Sequence, residues 1–443
     1  MERFPNQPQK GFTDYFPDVL REFRHVEDRL RRTAALFGYD EYDGPVMEPI
    51  EIYAAKSSEE LVKEQAYVVR DKGGRELALR PEMTPTLARM VSQIEGSAPR
   101  PIRWFSIPTC FRFERPQRGR VREFGQANVD ILGIASSDAE LEIFALIRAF
   151  MDALGASPEL YRIRWSSRRY LDALLSTVVG VPPERAVEVR RMIDKRDKMD
   201  AAEFEKWVRE SFPEGSVADR LLALQSVRDP EDLPYADVPA AFREGDAYRE
   251  TVGFSKALAE TSLDAVAAFD PSIVRGLDYY TGIVYEVHDV GGENRRALFG
   301  GGRYDNLLEL FSAQGMTGTG FGMGILTVKL FLETYGLMPA EARKADRGGS
   351  AYVACLAPAQ RAWAFEVARR LRSQGIPVEV DLDFRKLGKQ LARASARGYP
   401  FAAIVGEDEA RERRVTLKDL AAGSQAPVPI DDLPARIRPP RVV

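Results

Sequence analysis

A chain of 443 residues with 44% hydrophobic side chains is long for one domain and can supply two or three cores. Its only cysteines are Cys110 and Cys355 and its only histidines His25 and His288, which excludes Cys/His zinc modules, leaves no metal site to assign and argues against a disulfide framework. The net charge of −4 gives no global pull on nucleic acid, no apolar run approaches the roughly 20 residues that span a bilayer, and Met1-Glu2-Arg3-Phe4-Pro5 lacks a signal-peptide pattern, so a cytoplasmic protein with no membrane partner is expected.

Val19, Phe23, Val26, Leu30, Ala34 and Phe37 recur at three- and four-residue steps and Gly38 follows, which predicts a first amphipathic helix with a glycine stop. His25 falls on it among charged residues, where a solvated or packing role stands against a ligand role. Tyr39 to Pro49 reads as strand and turn, and Leu77 to Leu79 as a strand feeding a helix with Thr84 as its cap and Pro85 in its first turn.

Arg115, Arg118, Arg120 and Arg122 crowd a short loop between two alternating stretches. Phe111 and Phe113 alternate with Arg112 and Glu114 before the loop; Ala127, Val129 and Ile131 alternate with Gln126, Asn128 and Asp130 after it. Strand side chains alternate faces, so Gln126, Asn128 and Asp130 share one polar face. Such a face belongs either to solvent or, with Arg112, Glu114 and the arginine loop beside it, to a pocket for a ligand carrying a cation and phosphates, which guanidinium forks suit.

Ser137 and Glu140 form a capping-box pattern ahead of Leu141, Phe144 and Phe150, with Gly155 as the stop. Residues 168–254 are charge-rich amphipathic helices, including Asp194-Lys195-Arg196-Asp197-Lys198, and read as a helical insertion. Strand-like segments resume at Ile273. Arg275-Gly276-Leu277-Asp278-Tyr279-Tyr280 is either a packed strand entrance or a ligand cluster. Gly300-Gly301-Gly302-Arg303-Tyr304-Asp305 is expected to join a strand to a helix over Leu307–Phe311, the glycines permitting close backbone approach. Past a polar linker at 344–350, alternating strands and helices predict a small, mostly parallel α/β domain over 351–443. Lys386, Lys389, Arg393 and Arg397 recur along one of its helices, as a phosphate track or as a solvated face.

Together these clusters resemble the class II histidyl-tRNA synthetases, over most of the chain and in order. Gly11 to Pro17 with the first helix and Pro45 is similar to the dimer-forming first motif, Arg112 to Glu114 with its loop to the second, and Arg275 to Tyr280 to the histidine-specific signature. Residues 351–435 resemble the anticodon-binding domain. The resemblance implies an α+β catalytic domain on a mostly antiparallel sheet (1–167 and 255–343) around the insertion, a C-terminal α/β domain, and a homodimer. It implies a ligase that makes histidyl-adenylate from ATP and L-histidine and charges tRNA(His), with Mg2+ accompanying ATP on unassigned ligands. Arg112 and Arg275 would then grip the α-phosphate from opposite sides, with Glu114 and Arg120 also on ATP. Glu82 and Thr84 would receive the α-amino group, Gln126 and Asp130 would fix the amino acid, and Tyr279, Tyr280 and Tyr304 would enclose the imidazole. Lys386, Lys389 and Arg393 would meet tRNA.

One departure stands out. Gly320-Phe321-Gly322-Met323-Gly324-Ile325 aligns with the third motif, but Leu326 and Thr327 stand where Glu and a phosphate-binding Arg are expected. Losing one such donor costs about 2–4 kcal/mol, and Lys329 sits about 200° around a helix from Thr327. Either other cations compensate or adenylation is impaired. The alternative reading is a non-catalytic, histidine-binding paralogue: a regulatory subunit of ATP phosphoribosyltransferase, or an amino-acid sensor.

Overall fold

The structure, a computed structural model, describes residues 6–54, 64–196, 199–213, 215–274, 279–294, 296–306, 309, 311 and 315–437. Two compact units divide the chain, Met1–Pro339 and Ala340–Val443. In chain order the first contains α1 (Pro17–Leu36), β1 (Asp40–Glu41), β2 (Met47–Pro49), α2 (Ile50–Ala54), β3 (Tyr67–Arg70), β4 (Glu76–Leu79), α3 (Thr84–Ser92), β5 (Ile102–Ser106), β6 (Thr109–Phe111), β7 (Glu123–Leu132), α4 (Asp138–Ala153) and β8 (Tyr161–Ser167). There follow α5 (Arg168–Leu174), α6 (Ala186–Lys195), α7 (Ala201–Ser211), α8 (Gly215–Ala223), α9 (Ala240–Arg243) and α10 (Asp246–Glu260), with no strand among the described residues between β8 and β9 (Ala267–Phe269). β10 (Ile283–Asp289), β11 (Phe299–Tyr304), β12 (Gly318–Gly324) and α11 (Ile325–Thr334) complete the unit.

Its main sheet runs β1-β5-β7-β12-β11-β10-β8-β9, with β6 also paired to β7; only the outermost pairs, β1·β5 and β8·β9, are parallel. A smaller antiparallel sheet has the order β2-β4-β3. α1 buries Phe23, Val26, Leu30 and Ala34, and Gly38 at φ +74° turns the chain out of the helix. The Gly38 and Tyr39 N–H groups donate to the Ala35 and Ala34 carbonyls at 3.1 and 3.0 Å, satisfying two of the helix's orphan acceptors.

Alternation gives the main sheet two unlike faces. Ala127, Val129, Ile131, Phe321, Met323, Tyr285 and Trp165 join the large core that also takes in the buried faces of α1, α4, α10 and α11. The other face carries the polar residues of β7, and cross-strand partners share it. Asp130, Asn128 and Gln126 stand opposite Gly320, Gly322 and Gly324; Gly320 and Gly322 stand opposite Gly302 and Gly300; these in turn face Val284 and Glu286. The middle of this face is therefore a trough floored by backbone and walled by polar side chains.

Several local expectations shift. The run Gly300 to Gly302 is a buried central strand, because it is hydrogen-bonded on both sides by β10 and β12; the helix expected over Leu307–Phe311 lies largely outside the described residues. α3 starts one residue early, with Met83 as cap and Thr84 already helical. Ser137 precedes α4 but its side chain makes no cap. Glu140 instead is buried and takes a fork from Arg303, Nε to Oε1 at 2.9 Å and Nη2 to Oε2 at 2.6 Å. Burial pushes the Glu140 carboxyl up against the pull of that guanidinium. A long-range ion pair has outcompeted the local capping box.

In the second unit, β13 (Ala351–Cys355), α12 (Arg361–Ser373), β14 (Val378–Val380), α13 (Leu387–Ala396), β15 (Phe401–Val405), α14 (Glu407–Arg411), β16 (Arg414–Asp419), β17 (Gln425–Pro429) and α15 (Leu433–Arg436) form one sheet, β14-β13-β15-β16-β17, with its helices. The first three strands are parallel as expected; β16 and β17 add antiparallel, so the sheet is mixed rather than mostly parallel.

Candidate active site

β6 and β7 form a hairpin in register Phe111 with Glu123 and Thr109 with Gly125. Pairing stops at Phe111, which leaves Arg112 and Glu114 in the loop rather than on a strand. The Arg112 N–H still donates to the Arg122 carbonyl at 2.9 Å, and Gly119 at φ +78° makes the tip between Gln117 and Arg120. Arg112 turns inward over Phe124; its Nε donates to the Pro81 carbonyl at 2.9 Å and its Nη2 lies 3.5 Å from Gln126 Oε1. Arg120 extends outward to Glu114 at 3.0 Å.

Along β7, Gln126 Nε2 donates to Asn128 Oδ1 at 3.0 Å, and the Tyr304 hydroxyl donates to Asp130 Oδ1 at 2.6 Å. Asp130 Oδ2 is buried without a hydrogen-bond partner among the described residues. Burial pushes the Asp130 carboxyl up to about 7, against the lowering effect of the Tyr304 hydrogen bond. Three tyrosines enclose this end: Tyr279 lies 4.9 Å from Tyr280 and 6.1 Å, edge to face, from Tyr304. The Tyr279 hydroxyl donates to Glu82 Oε2 at 3.3 Å, and Glu82 and Thr84 are both buried where β4 leads into α3. Arg168 donates to the Tyr280 carbonyl at 2.9 Å and fixes that strand entrance. Arg275 lies outside the described residues.

The glycines are needed for this arrangement. A Cβ on Gly320 would sit 2.2 Å from Asp130 Oδ1, one on Gly318 2.6 Å from the Tyr304 ring, and one on Gly302 2.9 Å from the Tyr280 ring. The glycines thus let the polar walls close over a floor without side chains.

Beyond Gln126 the trough opens into a cavity of about 790 Å3 lined by Arg118, Arg120, Arg164, Glu286, Arg296 and Thr327, among others. Arg164 is held by Asp270, 2.8 Å from its Nε, and by Ser272 at 3.1 Å. His288 Nε2 lies 3.0 Å from Glu286 Oε2. Asp194, on α6 of the charge-rich helical insertion, also lines it. Arg164, Glu286 and His288 line this cavity without having been expected there, although Arg162, Arg164 and Ser166 alternate with Tyr161, Ile163 and Trp165, and Glu286 and His288 with Tyr285 and Val287. That is the same period-2 signal that marked β7.

The family profile described as histidyl-tRNA synthetase matches residues 11–328, and that described as anticodon binding domain matches 350–439. The chain belongs to the histidyl-tRNA synthetase family. Among named family members, a histidine–tRNA ligase of Leptospira biflexa is 39% identical over 428 residues, covering 96% of this chain and 95% of the relative. One from Opitutus terrae is 36% identical over 448 residues, covering 99% of both. The crystal structure of histidyl-tRNA synthetase from a Nostoc species superposes with a TM-score of 0.78 at 22% identity, covering 98% of this chain and 99% of that one, a likeness of fold.

In this synthetase, Thr327 takes up the space where the third motif ends. Its hydroxyl lies 2.7 Å from the carbonyl oxygens of both Leu298 and Gly324, tying the first turn of α11 to the entrance of β11. Lys329 is turned away: Nζ is 3.1 Å from buried Glu22 and 2.6 Å from Glu333, so it supports α1 rather than the cavity. In the second unit, Lys386 caps α13 and is exposed, as is Lys389, whereas Arg393 lies 3.6 Å from Glu379 and 3.5 Å from Asp383. Arg397 also reaches Glu379, at 2.8 Å.

Proposed function

We propose that the chain is a cytoplasmic histidine–tRNA ligase that condenses L-histidine with ATP to histidyl-adenylate and pyrophosphate, then charges tRNA(His) and releases AMP. The observation that carries this reading is the closed end of the trough. There, Asp130 presents an unpartnered carboxylate oxygen beside Tyr304, Tyr279 and Tyr280, an acceptor among aromatic rings that calls for a ring with an N–H to donate. Imidazole meets that demand; an apolar side chain would leave the acceptor buried and unpaired. Glu82 and Thr84 receive the α-amino group, and Gln126 together with Asp130 fixes the amino acid.

The histidine carboxylate then points along the trough toward Arg112. It attacks the α-phosphorus in line, the bond to the bridging oxygen breaks, and pyrophosphate leaves. Arg112 stabilises charge growing on the α-phosphoryl oxygens, with Arg275 assigned to the opposite side; Glu114 and Arg120 in the loop contact ATP. Mg2+ accompanies ATP as a charge-neutralising ion. Among the described residues no three acidic, His or Cys side chains converge on one cation position. No step assigned to a side chain depends on where that ion sits.

The reading divides the chain into a catalytic core, 1–167 and 255–343, an insertion, 168–254, a linker, 344–350, and an anticodon-binding domain, 351–443. Lys386, Lys389 and Arg393 are its tRNA contacts. Homodimerisation is supported by exposed apolar residues at the start of α1 (Phe16, Val19 and Leu20) and on β3 (Val68 and Val69). Thr327 is the one observation favouring a histidine-binding regulator or sensor instead; the matched anticodon-binding region and relatives bearing the ligase name over nearly the full chain favour the ligase.

Histidine-dependent ATP–pyrophosphate exchange on the purified protein, followed by charging of histidine tRNA, tests the reading. Exchange and charging are expected. Histidine binding without exchange would transfer the chain to the regulatory reading.

A further inference from the structure

We infer that Arg296 takes over the terminal-phosphate contact that Thr327 cannot make, so that the clamp has moved from α11 to the segment entering β11. The inference rests on the ligase reading for what fills the site, and on three observations for which residue holds it.

First, position 327 faces the arginine loop: a Cβ on Gly119 would lie 3.7 Å from Thr327 Cγ2. The hairpin tip and the first turn of α11 therefore pack side by side and together form one wall of the cavity. Second, Arg296 comes to the same place from another direction. It lines the same cavity as Arg118, Arg120 and Thr327, and its Nη2 donates to Gln117 Oε1 at 3.3 Å, beside the hairpin tip. Third, the cations here are not equally committed. Arg164 is paired with Asp270 and Arg120 with Glu114. For Arg296 and Arg118, no carboxylate among the described residues lies within ion-pair distance. An arginine held only by a neutral amide keeps most of its fork available, and phosphate is the ligand that such a fork fits bidentately.

The threonine has a part in this. Its hydroxyl, 2.7 Å from the Leu298 carbonyl, holds the segment two residues beyond Arg296 against α11. The residue that replaced the arginine anchors the strand entrance that brings another one. A cavity of about 790 Å3 is large enough for a nucleoside triphosphate.

The test measures equilibrium binding of ATP, AMP, inorganic pyrophosphate and L-histidine to the full-length protein and to Arg296→Gln and Arg296→Glu, together with ATP–pyrophosphate exchange. Both substitutions are at an exposed side chain, and unchanged thermal unfolding checks that they fold. Arg296→Gln is expected to weaken ATP and pyrophosphate at least tenfold, to leave AMP and histidine within about twofold, and to lower exchange on the order of a hundredfold; Arg296→Glu is expected to be worse on the same ligands only. Unchanged pyrophosphate and ATP affinity in both variants overturns the inference, as does an equal loss of AMP and histidine. A wild-type protein that binds ATP but does not exchange overturns the ligase reading, while the comparison of pyrophosphate with AMP still decides Arg296. A wild-type protein that binds neither ATP nor pyrophosphate overturns both.

Discussion

The two ends of the trough are built on opposite plans. At the amino-acid end every wall residue is buried and most are already paired: Tyr304 with Asp130, Tyr279 with Glu82, Gln126 with Asn128. At the phosphate end the guanidinium groups of Arg118, Arg120 and Arg296 are exposed around an open cavity. Shape and one unpaired acceptor serve recognition of a small ring, for which a misplaced atom is decisive. Movable surface cations serve a highly charged, strongly hydrated phosphate chain, for which net charge matters more than any single position. On the proposed reading, this difference would let a phosphate contact shift from residue 327 to another element, whereas the histidine end would admit no such transfer.

The sharpest way to break the comparison is at the floor. Gly320→Ala places a methyl 2.2 Å from Asp130 Oδ1 and 2.4 Å from the Val129 carbonyl, which is backbone and cannot yield. Histidine-dependent exchange should fall at least about a hundredfold, since a displacement of about 1 Å costs that much, with histidine binding lost and ATP binding largely kept. Loss of ATP binding in equal measure would mean that the two ends are not separable. Arg112→Gln, where the ends meet, should lower kcat for exchange about 10²–10³-fold with little change in histidine affinity; an effect confined to KM would remove Arg112 from the transition state.

Asp130 tests preorganisation without substrate. Its carboxyl titrates at about 7 rather than the ordinary 3.8, because burial disfavours its charge. A carboxyl displaced upward gives the fold its full stability below pH 4 and takes stability away as pH rises through about 7. At about 1.4 kcal/mol per pH unit, the histidine-free protein should lose up to roughly 4 kcal/mol from this group across that window. Asp130→Asn should flatten the dependence in denaturant unfolding at pH 4, 6 and 8. Equal slopes in the two proteins would show that water reaches the carboxyl. The smallest effect is expected in the second unit. Lys389→Glu should weaken tRNA binding and reduce its salt slope by about one phosphate contact, and Arg393→Glu should do less, because Glu379 and Asp383 already engage that arginine. Equal effects would mean that tRNA displaces those acids.

Much of this was legible in the chain because period-2 alternation and glycine punctuation are local. The polar face of β7, the glycine stop of α1 and the parallel strands of the second unit follow from neighbours in sequence. What failed was decided over distance. Glu140 looked like a capping partner for Ser137 until Arg303, 163 positions away, supplied a better one. The run at Gly300 to Gly302 looked like a loop because its two strand partners are invisible locally. The cavity lining at Arg164 and Glu286 carried the right alternation but no arginine-rich loop beside it to raise it above an ordinary strand. The antiparallel β16 and β17 have too little local signal to set their direction. What stands opposite Thr327 could not be read from its own neighbourhood, since Arg296 reaches the cavity from the segment entering β11.

The glycine floor also constrains how this protein can change through descent. Every single-step replacement of Gly302, Gly318 or Gly320 adds at least a Cβ where an atom already stands within 3 Å. Selection therefore meets a cliff rather than a slope at these codons. Drift that would retune the enzyme for a new amino acid must enter through the walls while the floor stays fixed. Variation at the open phosphate end is buffered by redundancy of charge. If Arg296 holds the terminal phosphate, one arginine can replace another across the cavity without touching the glycine floor.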